Sequence, residues 1–114
     1  MVLSSCEERE TTRTRPEDVL EQEAFVQIMT DVQILDAGFK QKMYRQRDPE
    51  QFLSEHYAHI FETHGVSRET FIESYEWWAE SPDDMVKVYE AVIENISEIE
   101  ANFNRTSEKE KAHQ

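Results

Sequence analysis

The stretch Tyr57-Ala-His-Ile-Phe-Glu-Thr-His64, Gly65-Val-Ser-Arg-Glu-Thr-Phe71, Ser74-Tyr-Glu-Trp-Trp78, Ser81-Pro-Asp-Asp-Met85 and Tyr89-Glu-Ala-Val92 alternates helical patterns with stops. Gly65 supplies the left-handed residue that closes a helix, and Val66 the apolar contact that accompanies such a closure. Ser67 is a capping residue and opens a helix whose inner face is Phe71, Tyr75 and Trp78. Ser81-Pro82-Asp83-Asp84 then combines a cap, a first-turn proline and two acids suited to the positive end of a helix dipole. Beyond Met85 the apolar residues Tyr89, Val92, Ile96, Ile99 and Phe103 follow at steps of 4, 3, 4, 3 and 4, a heptad seam.

Working upstream, Asp48-Pro49-Glu50-Gln51 predicts another helix start, with Asp48 as cap, Pro49 in the first turn and Gln51 completing a capping box. Phe52, His56 or Tyr57, Ile60 and Phe61 form the inner face of that helix. An earlier helix is expected to begin at Pro16, with Glu17 and Asp18 in its first turn. Its stripe is Phe25, Ile28, Val32, Leu35, Phe39 and Met43, spaced three or four apart, with Gly38 inside it. Residues 7–15 contain no apolar side chain and read as a solvated spacer, and residues 104–114 as a fraying polar tail. The expected domain layout is therefore 1–15 spacer, 16–103 folded body and 104–114 tail. Short connections make neighbouring helices antiparallel. The expected fold is all-α, a small up-and-down bundle of about four helices with disordered polar termini. The first and fourth helices carry the longest seams and are expected to pack together.

Composition agrees. With 114 residues, 38% hydrophobic and 11% aromatic, the chain is one domain with enough apolar material for a small core. Two glycines and three prolines suit a few long helices better than many short strands. The net charge of −13 disfavours nucleic acid, whose phosphates require a concentrated basic surface, and disfavours adsorption to anionic lipid. It also keeps such an acidic protein soluble. No apolar run approaches the ~20 residues that span a bilayer. A single cysteine, Cys6, precludes an internal disulfide.

The order of these features resembles a family of small, all-helical lipoproteins of unknown function from Bacteroidetes-type bacteria. The shared pattern is a proline before the first helix and an acidic residue within it, here Pro16 and Asp31 or Asp36. An aromatic and an Ile-Phe pair precede a Gly-Val-Ser-like break, here Tyr57, Ile60-Phe61 and Gly65-Val66-Ser67. Phe71, Ser74, Trp77-Trp78, Pro82 and Val88-Tyr89 complete it. The likeness spans roughly residues 16–100, and tryptophans stand where the family more often has tyrosines. It brings no catalytic residue with it.

The resemblance gives Cys6 a meaning. Leu3-Ser4-Ser5-Cys6 is similar to the end of a lipobox, in which the cysteine carries the lipid, and Glu7-Glu8 is similar to acidic signals that direct some lipoproteins to the cell surface. The anchored reading requires the basic start and apolar stretch of a signal peptide upstream of Met1. The alternative is an ordinary cytoplasmic N-terminus with an exposed thiol.

Two groups of side chains can carry chemistry. His56 and His59 are three apart on one helix, a spacing that supplies two metal ligands and needs a third from elsewhere; partly buried helix residues are the favoured reading. Trp77 and Trp78 are adjacent, hence about 100° apart around a helix, so one fills the core while the other lies at its rim. With Tyr75 they are either packing residues or an aromatic anchor for a partner. Asn95-Ile-Ser97 and Asn104-Arg-Thr106 match glycosylation sequons that recur by chance. There is no glycine-rich phosphate loop and no nucleophile motif.

The functional expectation is a non-enzymatic helical protein-interaction module of the bacterial cell envelope, without cofactor. It would touch the membrane only through a lipid on Cys6, bind a protein partner and exist as a monomer or weak homodimer. A soluble chaperone-like or adaptor domain and a metal-binding bundle are the alternatives.

Overall fold

A computed structural model describes residues 13–42 and 44–112 and contains four helices: α1 Gln22–Lys40, α2 Pro49–His64, α3 Arg68–Ala79 and α4 Pro82–Ala112. The described residues form an all-α bundle, and the junctions follow the local chemistry of their residues. Gly65 adopts φ 65° and ψ 33°, and the amides of Gly65 and Val66 donate to the carbonyls of Glu62 and Phe61. This paired closure places Val66 against the cluster around Phe61. Asp48 accepts from the Glu50 amide at 3.2 Å and Ser67 Oγ from the Thr70 amide at 3.1 Å. Gln51 departs from the expected capping box, because its amide donates to Glu55 one turn on, at 3.0 Å.

Cross-helix pairs set the directions. Tyr57 reaches Asp36 and His64 reaches Asp31, so α2 descends as α1 rises. Leu20 meets Trp78 at the foot of α1, while Phe71 packs beside Phe25 and Phe61 higher up, so α3 also descends. Along α4, by contrast, Val26 and Ala91 line one shallow groove, Thr30 meets Asn95, and Ala37 and Ile99 line another groove. The two longest helices therefore run parallel. The connections α1–α2 and α3–α4 are antiparallel hairpins, whereas α2 and α3 pass down α1 one after the other. The glycine closure ends α2, and the aromatic rings Phe61 and Phe71, 5.1 Å apart, hold the two successive helices on the same neighbour.

The start of α1 is a correction. Residues 16–20 form a turn closed by the Val19 amide on the Pro16 carbonyl at 3.1 Å, and the helix begins only at Gln22. In a helix the Leu20 amide would bond four residues back. Here it donates to Ser74 Oγ at 2.9 Å, and the Leu20 carbonyl accepts from Trp78 Nε1 at 3.0 Å. Two buried α3 side chains thus capture this peptide and hold it out of the helix.

The core lies on both sides of α1. One cluster joins Phe25, Val26 and Met29 to Trp78, Val88 and Val92; a second joins Ile28 and Val32 to Phe61. Val26 and Met29 lie outside the expected α1 stripe, because α1 is flanked by neighbours on two sides. On α4 the fully buried position is Val88 rather than Tyr89. Met43 lies outside the described residues. The polar stretch expected to fray continues α4 to Ala112, a helix of 31 residues and about 46 Å at 1.5 Å per residue. Among the described residues no helix is long and apolar enough to cross a membrane.

Candidate functional site

The tryptophan pair divides as its spacing requires. Trp78 is buried, stacked near-parallel on Phe25 at 6.2 Å, with its indole N–H satisfied by Leu20. Trp77 stands edge-on to it at 4.9 Å and 90° and is half-buried at the rim. Its exposed face carries a cover that sequence reasoning missed: the Arg13 guanidinium lies 3.7 Å from the ring centroid. Arg13 also donates to Asp84 at 2.8 Å and to the Trp77 carbonyl at 2.5 Å. Arg15 donates to the Val19 carbonyl. Arg13 and Arg15 of the expected spacer therefore belong to the folded body. A guanidinium joins a protein surface without apolar atoms at its tip, because its plane stacks on an indole while its rim donates hydrogen bonds. The signal available in the sequence was an arginine shortly before an aromatic-rich bundle.

Tyr75 is 40% exposed. The neighbouring Tyr89 phenol is pushed above its usual range by a hydrogen bond with Tyr75 and then by burial. Tyr89 is 37% exposed, and Val86 and Ile93 of α4 are more open still, at 55% and 64%. Val86, Tyr89 and Ile93, three and four apart, share one flank of α4, and the Tyr75–Tyr89 contact joins that flank to α3. The acids Glu76, Asp83, Glu90 and Glu94, interspersed along the same two helices, are exposed. Of the expected anchor residues, then, only Tyr75 lies on an open face, and its companions come from α4.

The histidine pair is not gathered into a metal centre. His56 Nδ1 lies 2.8 Å from the Phe52 carbonyl and its ring packs on Phe52 at 4.1 Å, while His59 is exposed. Among the described residues no group of three or more His, Cys, Asp or Glu side chains stands where it could hold a metal ion. His64 instead pairs with Asp31 at 2.7 Å.

Asp36 accepts from Tyr57 at 2.8 Å. Burial, followed by that hydrogen bond and the Asp36 charge, pushes the Tyr57 phenol up to about 12. Both acids on the inner flank of α1 thus tie it to α2. Asn95, the first sequon, is half-buried with its amide donating to Thr30 Oγ1 at 3.2 Å, which gives it a structural role. Cys6 lies outside the described residues.

Residues 16–102 match the model of a family described as a domain of unknown function, DUF4296. The chain belongs to this family. No curated protein and no solved structure matches it.

Proposed function

We propose that this chain is a non-enzymatic protein-binding module of the cell envelope, held at a membrane by a lipid on Cys6. The observation that carries the binding role is the open apolar face of Tyr75, Val86, Tyr89 and Ile93 within a strongly acidic bundle. Large exposed side chains that adjoin one another, rimmed by charge, are the composition of interaction surfaces. The exposed acids beside them select a partner whose contact surface is apolar at its centre and rimmed by lysine or arginine. The anchor rests on Leu3-Ser4-Ser5-Cys6 and on the resemblance to helical lipoproteins.

A photoreactive side chain at Ile93, compared with one at exposed Lys40, tests the face in intact cells. The reading requires an adduct from position 93 and none from position 40, with yield falling as salt rises. Adducts at both positions, or at neither, overturn it. Metabolic labelling with a radioactive fatty acid tests the anchor separately: label and membrane association are expected for the native chain and lost in Cys6→Ala. An unlabelled product in the soluble fraction would leave the adaptor role and remove the tether.

A further inference from the structure

A separate concavity opens where α2 gives way to α3. It is a half-open groove of about 390 Å³, lined by Ser54, Tyr57, Phe61, Arg68, Phe71 and Ile72. We infer that this groove is a binding site for a small apolar monocarboxylate, the chain or ring lying on the aromatic wall and the carboxylate on Arg68.

The groove has the contrast of polarity that such a ligand requires. Tyr57, Phe61 and Phe71 present aromatic surface, and Ile72 beside them is 43% exposed. The Tyr57 hydroxyl proton is already directed to Asp36, so that ring offers the groove mainly its apolar body. At the rim stands one cation. Among the described lysines and arginines only Arg13 and Arg47 are paired with a carboxylate, so Arg68 is selected by its place at the groove and not by lacking a partner. Arg68 takes part in no ion pair among the described residues. A planar guanidinium fork matches a carboxylate with two parallel hydrogen bonds, and the Ser54 hydroxyl on the facing helix can donate as well.

Volume and charge narrow the class. Small-molecule sites are concave, mostly apolar and run from about 300 to 1,000 Å³, so this one falls at the small end. A single cation on a molecule of net charge −13 suits one anionic group and disfavours multiply charged phosphates. Gly65 and Ser67 hold the two walls in register, since the helix closure and the following cap fix the angle at which Phe61 and Phe71 meet. The groove is distinct from the face formed by Tyr75, Val86, Tyr89 and Ile93.

Titration of the isotopically labelled protein with octanoate, octanol and octylammonium, followed by amide chemical shifts, decides the matter. Octanoate is expected to shift Ser54, Arg68 and Ile72 saturably, with octanol at least tenfold weaker and octylammonium weaker again. Shortening to hexanoate should weaken binding by about fourfold per methylene removed. Arg68→Gln, at an exposed position, should cost octanoate about tenfold and leave octanol unchanged. Ser54→Trp, which fills the groove from an exposed position, should abolish both. Ile93→Glu should leave octanoate binding as in the native chain, which separates this site from the proposed partner face. Equal binding of octanoate and octanol, shifts scattered over the bundle, or an Arg68→Gln protein that binds octanoate normally would overturn the inference.

Discussion

Helices α1 and α4 look alike as sequence and differ in what covers them. Each carries apolar residues at three- and four-residue steps over several turns. On α1 the buried set spreads round more of the helix than the stripe does, because Val26 and Met29 join Phe25, Ile28, Val32 and Leu35 inside. On α4 it is smaller: Val88 and Val92 are inside, but Ile99 and Phe103 are 48% and 70% exposed. The difference lies in neighbours. α1 packs along α2 and α4 and meets α3 through Phe25, Phe71 and Trp78, whereas α4 extends past α3, which has only 12 residues. Periodicity says which face a helix can bury; the length and number of its partners say how much of that face is buried.

The contrast can be broken most severely at Phe25. Phe25→Ala removes a ring with no exposure that touches Phe71, Tyr75 and Trp78, and should cost about 3–5 kcal/mol. Phe103→Ala removes the same side chain from the other helix and should stay within about 0.5 kcal/mol. Chemical denaturation of both variants checks the pair, and equal losses would mean that something covers the distal half of α4 in solution.

Ser74→Ala gives an intermediate effect. Ser74 is fully buried and takes the Leu20 amide while donating to the Thr70 carbonyl at 2.7 Å. Without it the Leu20 amide loses its partner, and a loss of about 1–3 kcal/mol is expected. Faster hydrogen exchange at Leu20, with the Gly65 amide unchanged, would locate the effect at the foot of α1.

The smallest effect separates α1 from α2. Tyr57→Phe deletes the hydrogen bond to Asp36 and should cost about 1 kcal/mol at neutral pH. The native phenol titrates at about 12, against an ordinary value of 10.0 in the unfolded chain. Between these values the unfolded state has lost its proton while the folded state still holds it, so stability falls as pH rises from 10 towards 12. Denaturation midpoints measured across that window should slope downward less in Tyr57→Phe than in the native protein.

Much of this molecule is legible in its residue order alone. Gly65-Val66-Ser67 and Asp48-Pro49 act within a few residues of themselves, so their closures and caps follow from chemistry that needs no distant partner. The seams of α1 and α4 announce that the two pack together. What escaped was set by long-range competition. Pro16-Glu17-Asp18 has the composition of a helix start, yet Ser74 and Trp78 take the Leu20 peptide and hold it in a turn. Arg13 reads as solvent-exposed until Trp77 and Asp84 are brought beside it. The site residues followed the same rule: adjacency alone put one tryptophan inside and one at the rim, but nothing local reveals that α4 supplies Tyr89 beside Tyr75, or that Ser54 and Arg68 line one groove.

An acidic all-α chain, its helices and the points where they break could be read from residue order, because hydrophobic period, caps and glycine conformations are properties of neighbouring residues. That α1 and α4 run parallel, where α1 begins, and which apolar side chains remain in water emerged with the packed fold. Those outcomes depend on which groups compete for the same peptide and on how far each helix extends beside its neighbour, and both are settled only when distant segments meet.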